Sequence, residues 1–210
     1  MTIDLEMVEA HQDNFPWTKF HTLMRLPEIY DPQWEDGMPP AGKDWPMATS
    51  ISPTNWLWLV MTGSRAHGFI LVEQIGMRWA QIHTGFRKGF PAITKKYVGA
   101  WAMAVCFDQI GMHKLSAFIP EDNLLARRAA REMGFDREGY IPEVGSRNGR
   151  PFGRILYGVT HDAWCRRFKL VRFERTYLPP EQPQRPADEC TKRTRVGVGW
   201  DERNTSKYLS

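Results

Sequence analysis

The chain has 210 residues, 42% hydrophobic and 12% aromatic, enough for one well-buried core and too little for two ordinary domains. Charged residues make up 25%, which excludes a chain disordered throughout, and no apolar run approaches the roughly 20 residues that span a bilayer. The net charge of +4 is confined to the last quarter: His161 to Ser210 carries 11 Lys/Arg against 7 Asp/Glu, and the remainder carries 17 of each. Such a basic tail fits a solvated extension, or a contact with nucleic acid or a protein subunit. Cys106, Cys165 and Cys190 are far apart and odd in number, so they fit neither a disulfide framework nor a paired zinc site. The first residues are acidic, without a basic-then-apolar leader, and the expected location is cytoplasmic.

Ile3, Leu5 and Met7 alternate with acids and predict a short strand. Pro16 stands where a helix can begin, with Phe20, Leu23 and Met24 at helical spacing. From Pro27 to Pro53 six prolines forbid regular helix, while Tyr30, Trp34 and Trp45 keep the segment adhesive. It fits either a lid over a cleft or a cover for a sheet edge.

An antiparallel meander follows, with strands expected at Trp56–Gly63, Gly68–Gln74 and Arg78–Thr84. A helix is expected from about Ala92 to Gln109, burying Tyr97, Trp101, Ala104 and Val105, and stopped by Gly111. His113–Ile119 reads as a strand. Asp122 or Asn123 then caps a helix whose apolar positions are Leu124, Leu125, Ala129 and Met133, ended by Gly134. Strands at Gly139–Val144 and Gly153–Thr160 are joined by a turn-rich SRNGRPF, and a short helix is expected at His161–Phe168. Residues 1–168 thus form one domain. Residues 169–210, with Pro179, Pro180, Pro183 and Pro186, form a basic, extended arm.

This order of elements resembles the GNAT superfamily of acyl-CoA N-acyltransferases, most closely over HKLSAFIPEDNLLARRAAREMGFDREGYIPEVGSRNGRPFGRILYGVT. The resemblance implies an α/β GNAT fold, a mixed, mostly antiparallel central sheet flanked by helices. Two neighbouring parallel strands would splay, and the pantetheine of acetyl-CoA would enter between them. The pyrophosphate would rest on the amides that open the following helix, where free N–H groups and the helix dipole favour anions. The residues implied for the cofactor are Phe86, Arg87, Lys88, Gly89, Phe90 and Ala92, with Asn123 on the other side. The family's loop has Arg or Gln where Phe86 stands and a small residue where Pro91 stands, and Pro91 has no N–H to donate. The tyrosine that often serves as general acid is replaced by Ala130.

An attacking amine needs a base within hydrogen-bond reach, and Glu73 and His83 are the candidates, with Glu143 a further one. The histidines show no metal-ligand or triad spacing, so no metal is expected. Two functions follow. One is an acetyl-CoA-dependent N-acetyltransferase acting on a protein N-terminus or small amine by direct transfer. The other is an inactive structural or binding protein of the same fold: the Arg-Asn-Gly-Arg hairpin and the closing ILYGVTHDAW are similar to divergent GNAT-like proteins of tailed bacteriophages, which implies a virion or host-cytoplasm protein docking through its arm.

Overall fold

The structure is a computed structural model and describes residues 5–10, 15–30, 54–167 and 194–196. Its elements in chain order are β1 (Leu5–Glu9), α1 (Trp17–Met24), α2 (Pro27–Tyr30), β2 (Asn55–Thr62), β3 (Arg65–Gly76), β4 (Trp79–Phe86), α3 (Ala92–Ala104), β5 (Lys114–Pro120), α4 (Leu124–Glu132), β6 (Asp136–Arg147), β7 (Arg150–Thr160), α5 (His161–Arg167) and β8 (Thr194–Val196). One sheet holds all the strands in the order β6-β7-β5-β4-β3-β2-β1-β8. Every pairing is antiparallel except β4 with β5.

The sequence NWLWLVMT is nearly continuous in apolar residues because β2 is covered on both faces. Leu57, Leu59 and Met61 pack with Phe20, Leu23 and Met24 of α1 and Ile29 of α2. Trp58 and Val60 point the other way, into the larger core with Val98, Ala102 and Val105. The Trp58 and Trp101 rings meet edge to face, 5.5 Å between centroids. Leu23 is fully buried, and truncating it to alanine is expected to cost about 2–5 kcal/mol.

Two helical stripes differ from the sequence expectation. On α3 the buried positions are Thr94, Val98, Ala102, Met103 and Ala104; of the expected stripe Ala104 and Val105 are buried, whereas Tyr97 and Trp101 are half-buried. The helix then widens into one π turn at Val105–Gln109, where the Ile110 N–H donates to the Val105 carbonyl, 2.9 Å. On α4 the inward residues are Ala126, Ala130 and Met133, while Leu124 and Leu125 are 67% and 83% exposed. Small residues face in because α4 lies close against its neighbours: Met133 occupies the space beside Gly99 of α3.

The β6–β7 hairpin is longer than expected and closes on Asn148 and Gly149, both with positive φ, the geometry of a tight hairpin turn. Of the lid-or-cover segment, Pro27–Tyr30 forms α2, and the rest lies outside the described residues. Of the arm, Thr194–Val196 pairs antiparallel with Leu5–Met7 and extends the sheet beyond β1; its proline-rich part lies outside the described residues.

Candidate active site

β4 and β5 run parallel but pair only where Trp79, Ala80 and Gln81 face Lys114, Leu115 and Ser116. β4 continues to Phe86 and β5 to Pro120 without further pairing to each other, so the strands part and leave a wedge open toward their C-terminal ends. Backbone groups on the facing edges lack a strand partner there among the described residues, which suits insertion of an extended chain. The vertex is tied by the Trp79 indole N–H, which donates to the buried Ser116 hydroxyl at 2.8 Å.

At the vertex lies Glu73, level with the last paired rung, and just beyond it lies His83. The register sets Glu73 opposite Gln81 and Leu71 opposite His83, so Glu73 and His83 are diagonal neighbours on one face of the sheet. His83 Nε2 lies 2.7 Å from a Glu73 carboxylate oxygen, and both side chains are about one-third exposed. The hydrogen bond from His83 holds the Glu73 carboxyl below its ordinary value of 4.5, outweighing burial, which pushes the other way. Glu143 stands apart from this pair. It occupies a positive-φ position in a bulge of β6, the outermost strand, with β7 and β5 between it and β4.

The segment after β4 opens the upper lip of the wedge. The Arg87 N–H donates to His67 O at 2.8 Å and the Phe90 N–H to Arg87 O at 3.2 Å, a tight turn that Gly89 completes at φ +82°. Phe86 and Phe90 stack at 5.8 Å, and Phe90 stacks on His67 at 4.9 Å. Burial and the nearby Arg65 and Arg87 hold the His67 pKa below 6.5, so the ring stacks as a neutral imidazole. Phe86 lies across Gly68, where a Cβ would strike its ring. The Phe86 and Phe90 rings thus pack against the core and brace the turn.

Three observations fit this lip to an anion. α3 starts after Pro91 with no side-chain cap on its first amides, leaving Ala92 and the next residues open. Arg87 Nε is buried without a hydrogen-bond partner among the described residues. A carboxylate oxygen of Glu28, from α2, already accepts the Lys88 N–H at 3.4 Å. The opposite lip is the end of β5, where Asn123 caps α4 by accepting the Ala126 N–H at 3.1 Å. Its Oδ1 is thus committed to the helix, and its amide N–H₂ remains for a ligand. Ala130 is buried against the core and supplies no hydroxyl. Cys106 is buried in the π turn, its thiol pushed up to about 12. Among the described residues no group of three His, Cys, Asp or Glu side chains could hold a metal, and no helix is long and apolar enough to cross a membrane.

Sequence reading passed over Ser116, Trp79 and Glu28. Ser116 offered one signal, a hydroxyl in the otherwise apolar strand core LSAFI. Glu28 offered none, because only tertiary packing brings α2 to the end of β4, where Ile29 and Phe69 crowd Gly85.

No family model and no curated protein matches the sequence. Solved structures do. A spermidine N-acetyltransferase from Vibrio cholerae, in complex with CoA and spermine, is similar with a TM-score of 0.63 and 14% identity, over 75% of this chain and 97% of that one. A structure of spermidine/spermine N-acetyltransferase from the same organism, in complex with manganese ions, gives 0.61 at 16% identity, over 78% and 96%. A sheet of this order, opened between two parallel strands and flanked by helices, is the GNAT acyl-CoA N-acyltransferase fold, and this chain has it.

Proposed function

We propose that this chain is an N-acyltransferase that moves an acetyl group from acetyl-CoA directly to an amine. The observation that carries the reading is the Glu73–His83 pair set at the point where β4 and β5 part. Acetyl-CoA supplies an activated thioester. The open edges of β4 and β5 would hold its pantetheine as an added strand, with the amides opening α3, Arg87 and Lys88 on its phosphates. Backbone N–H groups on the cleft edge of β4 would polarise the thioester carbonyl.

The amine nitrogen attacks that carbonyl, a C–N bond forms, the C–S bond breaks, and the thiol leaves with one proton. The ionised Glu73 carboxylate accepts Nε2–H of His83, which fixes the tautomer and leaves Nδ1 as the proton acceptor for the attacking amine. Ala130 gives the thiolate no acid in the place the family often uses, so its proton comes from solvent or from the imidazolium just formed.

A second reading is favoured by Pro91, which offers no N–H in the phosphate lip, and by Ala130: a binding or virion subunit that keeps the fold without the chemistry. Thiol release from acetyl-CoA in the presence of polyamines, amino acids and short peptides, followed by mass spectrometry of the acceptor, separates the two. The first reading expects one acceptor class to gain an acetyl group with stoichiometric thiol. Absence of enzyme-dependent thiol release with every acceptor class supports the second.

A further inference from the structure

α4 carries the sequence LLARRAARE, with Ala126 and Ala130 inward, Arg128 and Arg131 exposed and Arg127 half-buried. Its carboxylate neighbours are already engaged. Glu132 takes Lys96 and Arg128, Asp122 takes Arg147, and Glu138 takes Lys114. Glu121 accepts the Gly153 N–H at 2.7 Å and the Tyr140 hydroxyl at 2.9 Å. Three arginines on this flank have no carboxylate partner among the described residues, Arg131, Arg137 and Arg167; a fourth, Arg127, donates from Nη1 to the Glu121 backbone carbonyl at 2.8 Å and lies near enough to the Glu121 carboxyl to help lower its pKa.

The fold gathers these four from three elements. Arg127 and Arg131 are one turn apart on α4, on the side away from Lys96 and α3. Arg137 on β6 stands opposite Tyr157, a core residue that packs with Ala130, and so lies on the face of the sheet that α4 covers. Asp136, its neighbour in sequence, alternates to the other face. Arg167 donates from Nη2 to the Arg131 carbonyl at 3.4 Å, where the negative end of the α4 dipole holds it. At the upper end of the flank stands Tyr140, 45% exposed, its hydroxyl tethered by Glu121 so that the ring is held in place. The chain continues from Arg167 into the segment that carries the net positive charge of the sequence.

Arginines outside any full ion pair, gathered on the flank that carries a fixed, half-exposed aromatic ring, match the needs of a single-stranded polynucleotide: cations for the phosphates and a face on which a base stacks. We propose that Arg127, Arg131, Arg137, Arg167 and Tyr140 form a binding surface for single-stranded nucleic acid. This surface is separate from the β4–β5 wedge and does not depend on acyl transfer.

The test is fluorescence anisotropy of a labelled, mixed-sequence single-stranded oligonucleotide with the full chain across a salt series. Four phosphate contacts on a single strand give a log–log salt slope of about −3. The R127Q/R131Q/R137Q/R167Q variant should bind at least about tenfold more weakly and lose most of that slope. Tyr140→Leu should weaken binding about fivefold or more with the slope unchanged, because stacking releases no counterions. Should the quadruple variant melt early, the exposed single substitution Arg137→Gln serves, with a slope smaller by about 0.7. Wild-type affinity in the arginine variants would overturn the proposal. So would displacement of the oligonucleotide by polyglutamate at equal charge concentration with no effect of Tyr140→Leu, since that result assigns the surface to an acidic protein.

Discussion

The Trp79 indole N–H donates to the Ser116 hydroxyl at 2.8 Å, diagonally from the first paired rung of β4 and β5 to the last, and beyond the last rung the strands separate. The two ends of this bond are unequally placed. Ser116 is fully buried, whereas Trp79 is partly exposed, so only the indole can turn to water when its partner is lost. Trp79→Phe strands a buried hydroxyl and should cost about 1–3 kcal/mol, whereas Ser116→Ala should cost about 0.5–1.5 kcal/mol. Denaturant melts of both variants and their double check the inequality, and equal costs would contradict it.

Gly68 is required by its neighbours across the strand. A Cβ there would meet the Phe86 ring and come within 2.6 Å of the Gly85 carbonyl oxygen. Gly68→Ala should destabilise the protein by about 1–3 kcal/mol, and adding Phe86→Leu should recover only part of it, because the backbone oxygen stays. Full recovery in the double variant, read from melting curves, would show that the ring alone sets the requirement.

Much of this architecture is legible in the sequence, and its limits are instructive. The order of strands and helices follows from local signals that the fold leaves intact, such as the Asn123 cap and the Asn148-Gly149 turn. Glu73 and His83 each stand out as candidate bases. Their meeting depends on the β3–β4 register, which shifts between Gln74 and Gly76 and is not written in either strand. On α4 the leucines look like the inward face, yet alanines take it, because close helix packing rewards small residues over hydrophobic ones. Phe86 and Phe90 sit in the predicted loop, but the inward stacking of their rings, beside the turn at Gly89 and the uncapped start of α3, is set by core packing that local sequence does not show. Glu28 was invisible because its partner is 60 residues away in the chain.

The Glu73–His83 pair predicts both rate and pH behaviour. Glu73→Gln or His83→Ala should lower kcat about 10²- to 10⁴-fold with little change in acetyl-CoA affinity. Since the folded Glu73 carboxyl titrates below 4.5, its bond to His83 contributes stability that is fully present above pH 4.5 and is lost as pH falls through the lower folded value. The stability gap between wild type and His83→Ala should therefore be widest above that pH and narrow on acidification. A gap that widens in acid would contradict this.

Glu28 places a negative charge on the amide of Lys88, where a phosphate would sit. Glu28→Gln should tighten acetyl-CoA binding about two- to fivefold, the scale of one charge near a helix terminus. Comparative thermal shifts with and without the cofactor report it, and weaker binding would place Glu28 among the supports of the lip.

Calorimetric titration of acetyl-CoA into the intact chain tests the central claim most directly. A wedge that holds pantetheine between β4 and β5 predicts saturable one-to-one binding at micromolar concentrations, with a rise in Tm that grows with ligand. No heat and no Tm change at millimolar acetyl-CoA would contradict it and leave the fold without its cofactor.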